Sequence, residues 1–463
     1  MARSRGTGPR LPISFGMGGY QILAEQTHSP EKDTCTTREP DEIITQPDVS
    51  TDMERTQEKL IRPVMPELDS LRGVAILLVL FFHGFGFQFG TAPLPRLAHL
   101  FVMATMPGWI GVNLFFVLSG FLITGILVES RNKPNYYRNF YLRRALRILP
   151  AYYALLLLLW VSRKSGWLDH REVSWQFIAL SSIYLSNITN LLGVPLQYAA
   201  LWTLAVEEHF YLLWPAVARS LSQKALAFCA LVIVLLCPLL RAVAYQCGYQ
   251  YGAGYTWLVA DGLAIGSLLR LLSQEWLADR KRMQRASIFC MVTGIALLTF
   301  GAPFGILLGR TLLGGTLRVT ALNLFFAGAL GSVLLVGTSP LKWIVQRPLL
   351  TFFGRISYGL YLIHMLAFDF VDHFIARYVQ DPLAVIRGSF APICLRFAIA
   401  ATLATIIAFF SRKYFEEWFL RLKERWTAKT DNQLTLLALP KLVQAPTLLA
   451  SSVRGSGSSE LRA

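Results

Sequence analysis

Long apolar stretches, nearly free of charge, constrain this chain more than any other feature. Runs of roughly 18–22 residues are long enough to cross a hydrocarbon core as helix. They occupy residues 68–89, 108–128, 147–162, 202–219, 225–244, 256–272, 286–306, 319–339, 354–372 and 389–411. A soluble chain cannot hide so many apolar surfaces. Of its 463 residues, 54% are hydrophobic and 16% charged, against about 25% charged in an ordinary soluble domain. In lipid the backbone must satisfy its own hydrogen bonds, so segments of this length are helical. The predicted fold class is an all-α polytopic membrane protein with about ten transmembrane helices and disordered termini. Six cysteines without CxxC spacing speak against a disulfide framework or a zinc site, and no metal is expected.

The ends are different material. Residues 1–60 hold only Phe15 and Tyr20 as aromatics and are rich in Ser, Thr, Pro, Asp and Glu. No apolar run follows the first arginines, so a cleavable signal peptide is not expected. Residues 1–64 read as a disordered cytosolic extension and 65–426 as the membrane domain. Residues 427–463, without aromatics, read as a disordered cytosolic tail, in which Leu434 to Leu449 can lie on a membrane surface.

The net charge of +16 would suggest nucleic acid on a soluble protein. Between apolar spans it marks cytoplasmic loops instead, and no nucleic-acid partner is expected. The loop after the second span carries Arg131, Lys133, Arg138, Arg143, Arg144 and Arg147. Further groups are Arg280, Lys281, Arg282 and Arg285; Lys342, Arg347 and Arg355; and Arg412 with Lys413. Ten spans with both termini inside place all of these in the cytosol. An eleventh span at 173–190, an apolar stretch broken by Ser, Asn and Thr, would put the last three groups outside. That segment is therefore read as re-entrant or interfacial, leaving Arg163, Lys164 and Arg171 as outer exceptions. The expected location is the inner or plasma membrane, multi-pass.

Ionisable groups inside apolar helices need a reason. Arg72 and His83 lie eleven positions apart in the first span, roughly 16 Å along a helix. This puts Arg72 near the cytosolic interface, where a snorkelling anchor is an equal reading, and His83 deep or towards the outer leaflet. The fourth span, beginning at Leu201-Trp202, carries Glu207-Glu208-His209 near its mouth, and helical spacing puts Glu207, Tyr211 and Trp214 on one stripe. Glu207 then comes to about the depth of His83, where a carboxylate can orient a general base. Ser357, Tyr361 and His364 form a second stripe. Ser119 and Gly120 permit close helix approach, and Asp261 reads best as a helix-packing hydrogen bond. Arg143, Arg144 and Arg147 cluster where the chain re-enters the membrane, and guanidinium forks there can hold phosphates.

Six motifs carry a resemblance: Arg72-x10-His83, FFVLSGFLIT (115–124), RRALRILPAYY (143–153), LWTLAVEEHFYLLWP (201–215), ADGLAIGSLLRL (260–271) and GRISYGLYLIH (354–364). Together, in order over about 65–425, they resemble the membrane-bound acyltransferase-3 family. Its members O-acylate sugars of lipopolysaccharide, exopolysaccharide, peptidoglycan, Nod factors and macrolides. The resemblance implies a ten-span core and acyl transfer from cytosolic acyl-coenzyme A, acetyl most readily, to a carbohydrate or glycolipid hydroxyl. It makes His83 the essential histidine, Arg72 its paired arginine, Glu207 the acidic position, and Arg143, Arg144 and Arg147 the basic motif. His209 departs from the family's frequent Gln, and Phe415-Glu416-Glu417-Trp418 departs from its usual Glu-Pro ending. Some relatives add a C-terminal esterase-like domain; none is expected here, so the chain acts alone or with separate partners.

The expected chemistry docks coenzyme A phosphates on Arg143, Arg144 and Arg147, with the pantetheine arm reaching His83. His83, oriented by Glu207, takes the proton of the sugar hydroxyl, and Tyr211, Tyr361 or Ser357 donates to the oxyanion. A covalent acyl-enzyme on His83 or Ser119 remains open. The rival reading is a proton-coupled transporter or glycan exporter with a membrane His/Glu relay, which leaves the basic motif unexplained.

Overall fold

A computed structural model describes residues 65–422, apart from 91–93, 166–172, 249–253, 277–278, 336–345 and 379–389. The expected disordered segments 1–64 and 427–463 lie outside the described residues. Among the described residues the regular structure is helical throughout.

The first helix, α1 (Pro66–Phe81), starts on a proline whose missing N–H costs nothing at that position. Glu67 and Asp69 in its first turn favour the helix dipole. It runs into a π-helical turn, Phe82–Gly86. Next come α2 (Arg96–Thr105), which the sequence reading did not anticipate, and α3 (Gly111–Ser130). Then follow α4 (Tyr136–Ser165), α5 (Trp175–Ser182), α6 (Ala200–Ser220) and α7 (Gln223–Gln246). The remaining helices are α8 (Asp261–Trp276), α9 (Arg280–Gly301), α10 (Leu312–Leu334), α11 (Pro348–Tyr378) and α12 (Ala391–Phe410). Ser222 and Thr311 cap α7 and α10 by accepting from the N–H groups of Ala225 and Gly314.

Eight of these helical stretches are long and apolar enough to cross a membrane. The other two expected spans, at 202–219 and 256–272, are α6 and α8 with the preceding turn Thr256–Val259. Outward-facing Leu157, Phe228, Leu235, Phe289 and Leu395 are exposed, as lipid-facing side chains must be. In the segment 173–190 the one α-helix is the eight-residue α5, about 12 Å long and too short to span, followed by a 3-10 turn from Thr189.

Two boundaries correct the sequence reading. The arginines 143, 144 and 147 are not in a loop; they lie inside α4, which begins at Tyr136. Likewise α11 begins at Pro348 and runs on to Tyr378, beyond both ends of the apolar stretch.

Glycines set the closest contacts. A β carbon on Gly354 would collide with the Asp69 backbone, and one on Gly73 with that of Leu350, so α1 and α11 cross backbone to backbone. Further along, His83 meets His364 and Gly84 meets Phe368, so the two helices run parallel. Gly120 against Leu263 and Glu129 against Arg270 give α3 and α8 the same parallel relation. An additional crossing at 173–190 would have made α1 and α11 antiparallel. The five described cysteines are free thiols.

Candidate active site

Helices α1, α3, α4, α6 and α11 line one half-open cavity. Arg72 reaches it from α1, Ser119 from α3, and Arg144 and Arg147 from α4. Thr203, Glu207, Glu208 and Tyr211 line it from α6, and Ser357, Tyr358 and Tyr361 from α11. Apolar walls come from Phe115, Phe116, Ile123 and Leu204 among others. Two residues of each predicted stripe, Glu207 with Tyr211 and Ser357 with Tyr361, thus converge on one space, whereas His364 lies outside the lining. Arg144 and Arg147 share a face at i, i+3, whereas Arg143, one position round the helix, is outside the lining.

Glu207 is tied on both oxygens. Ser119 Oγ donates to Oε1 at 2.8 Å and Tyr211 OH to Oε2 at 3.0 Å. The Arg144 guanidinium carbon lies 5.0 Å above the Tyr211 ring, a cation–π placement that links the carboxylate to the basic end of the cavity. Trp214, the third residue of that stripe, turns away and donates to Thr124 at 2.9 Å. Arg72 pairs with Asp69 at 3.5 Å, as an interface arginine would, yet it also lines the cavity.

His83 has a different partner from the one expected. Its ring faces His364, with Nδ1 3.4 Å from His364 Nε2 and the ring centroids 5.0 Å apart. His364 is fully buried. Its Nδ1 lies 2.7 Å from the Tyr361 carbonyl, which can only accept, so this nitrogen donates and Nε2 keeps its lone pair. By the same reasoning His83 Nδ1, 3.0 Å from the Val79 carbonyl, carries a proton. A neutral His83 therefore carries its proton on Nδ1 and leaves Nε2 as the basic nitrogen, the atom a general base uses; the residue itself stands outside the cavity lining. His83 is thus held by the Val79 carbonyl and His364, while the two Glu207 oxygens accept from Ser119 and Tyr211. Tyr361 connects the two clusters. Its hydroxyl meets Thr203 Oγ1 at 2.7 Å in the cavity, and its carbonyl holds His364.

Sequence reasoning missed Glu208, Thr203 and Tyr358 among the lining residues. Thr203 was legible, since it stands four positions before Glu207 on the same face. Tyr358, whose hydroxyl donates to the Ile148 carbonyl at 2.8 Å, carried no such signal. His209 bonds Thr256 at 2.7 Å and Asp261 pairs with Arg241 at 3.0 Å; neither lines the cavity.

A family model described as an acyltransferase domain matches residues 65–412. YrhL of Bacillus subtilis is 30% identical over 339 residues, covering 65% of this chain and 48% of that protein. The peptidoglycan O-acetyltransferase OatA of Listeria monocytogenes is 28% identical over 356 residues, covering 67% and 50%. The chain thus spans about half the length of these curated relatives. No solved structure matches it.

Proposed function

The chain belongs to the acyltransferase family whose model covers residues 65–412, and from that premise we propose the reaction its cavity serves. An acyl group, acetyl in the first instance, passes from cytosolic acyl-coenzyme A to a hydroxyl of an extracytoplasmic carbohydrate or glycolipid. Peptidoglycan is the acceptor class that OatA carries in its name. The observation that carries the reading is the convergence of Arg72, Arg144, Arg147, Glu207 and Tyr361 on one cavity, with the His83–His364 pair joined to it through Tyr361.

In this reaction Arg144 and Arg147 pair with the donor phosphates, as bidentate guanidinium groups do. Glu207 and Tyr211 keep Arg144 in place. His83 Nε2 takes the acceptor hydroxyl proton while the oxygen attacks the thioester carbonyl. The tetrahedral intermediate collapses, the C–S bond breaks, and the thiolate recovers the proton from the imidazolium. The products are an ester and free coenzyme A. Tyr361 or Ser357, both lining the cavity, donates to the oxyanion.

Purified protein given acetyl-coenzyme A and peptidoglycan fragments should release free thiol and acetylated glycan together. Absence of both across several glycan classes would refute the reading. Orientation has its own test in a cysteine-free background. A membrane-impermeant thiol reagent added outside should label Leu192→Cys and spare Arg280→Cys; the reverse would invert the membrane orientation.

A further inference from the structure

The π-helical turn that carries His83 is gripped by two other helices. Arg396 on α12 is 6% exposed, an expensive place for an arginine. Its Nε and Nη2 donate to the two carboxylate oxygens of Asp372 on α11, the second at 2.6 Å. Its Nη1 donates to the carbonyl of Gly84, the neighbour of His83, at 3.1 Å. The rings of Phe368 and Phe89 lie 5.0 and 5.3 Å from its guanidinium carbon. A β carbon on Gly84 would collide with the Phe397 and Phe368 rings, so the turn is also pressed against the same two helices.

A π turn needs such support. Phe87 N–H donates to the Phe82 carbonyl five residues back, and this wider bonding is rare in proteins and frequent at functional sites. Reversion to an α ladder would rotate His83 by about 100° for one residue and carry its ring away from His364. We propose that Arg396, held by Asp372, is a positioning residue for His83: by pinning the Gly84 carbonyl it fixes the turn and aims Nε2 at the acceptor hydroxyl. An arginine is required because one planar group must meet a carboxylate on one edge and a carbonyl with its third nitrogen; an ammonium offers no such plane.

This inference rests on His83 being the base, so His83→Ala is assayed beside Arg396→Lys and Asp372→Asn in the full chain. Acetyl-coenzyme A with a peptidoglycan fragment is the substrate pair. Misplacement on the scale of 1 Å costs up to about 100-fold. Both clamp variants should therefore lose about 10- to 100-fold in kcat, with KM for acetyl-coenzyme A within about 2-fold of wild type. Asp372, 30% exposed, accepts the isosteric Asn without burying new atoms, and it decides the question if Arg396→Lys fails to fold. Unchanged kcat overturns the proposal. Loss of acetyl-coenzyme A binding in step with activity also overturns it, because the pair would then be framework. An active His83→Ala refutes the base itself, whereas an inactive His83→Ala beside fully active clamp variants removes the clamp alone.

Discussion

Two regions of the membrane interior hold arginines beside carboxylates, and they are built on opposite plans. Between α7, α8 and α10, Arg241 meets an acceptor with every nitrogen. Nε donates to the Thr316 carbonyl at 2.9 Å, and Nη1 to the Leu258 carbonyl and Asp261 at 2.5 and 3.2 Å. Nη2 donates to Asp261 and Thr320 at 3.0 and 2.5 Å, and Thr320 donates in turn to Asp261 at 2.7 Å. Both side chains are buried, 6% and 0% exposed, and nothing is left over for a ligand. Around Glu207 the polar groups instead face an open cavity, with Arg72, Arg144 and Arg147 at its walls. A closed network holds helices together; an open one keeps hydrogen-bonding capacity for a substrate.

The sharpest test of that contrast is His83→Ala. Removing a general base costs about 10²- to 10⁴-fold, so kcat should fall by that much while acetyl-coenzyme A binding, measured by calorimetry, stays as it was. Next comes the closed side. Asp261→Ala leaves Arg241 buried and unpaired, a loss of about 3–5 kcal/mol. It should appear as lower yield and thermal stability of the inserted protein, with kcat per folded molecule close to wild type. A folded, stable Asp261→Ala with abolished catalysis would break the comparison.

Smaller effects separate residues within the open region. Arg144→Ala or Arg147→Ala should each raise KM for acetyl-coenzyme A about 10- to 150-fold, the equivalent of about 1.5–3 kcal/mol for a charged hydrogen bond. Arg143→Ala, outside the lining, should change it by less than about 3-fold if exposed charges contribute their usual fraction of a kcal/mol. Equal effects at all three would assign them to general surface charge. Ser119→Ala should be milder than either cavity arginine. It removes one neutral donor to Glu207, about 0.5–1.5 kcal/mol, and a total loss of activity there would point to an acyl-enzyme on Ser119.

Much of the candidate site was legible in the chain because helices repeat. Glu207 with Tyr211, and Ser357 with Tyr361, share faces by spacing alone, and the structure brings these four to one cavity, with Trp214 and His364 outside its lining. Arg143 was grouped with its neighbours because a motif is linear, while a helix places adjacent residues about 100° apart. The partner of His83 was not legible. Helical rise gives Glu207 and His83 similar depths, but depth leaves rotation and neighbour unspecified. The π turn that swings His83 towards His364 arises from contacts with Arg396, Phe368 and Phe397, which lie about 300 residues away along the chain.

Composition and apolar run length determined that this chain is a bundle of membrane helices, since lipid leaves the backbone no other way to bond itself. Spacing determined which polar residues share a face, and the ordered motifs determined the family. Tertiary packing decided which faces meet. It closed the Arg241–Asp261 pair, left the Glu207 cavity open, and gave His83 a histidine in place of a carboxylate. These outcomes turn on helix rotation and crossing, set by glycine contacts such as Gly354 on Asp69 and Gly73 on Leu350. No local stretch of sequence encodes such contacts, because each depends on two backbones arriving together.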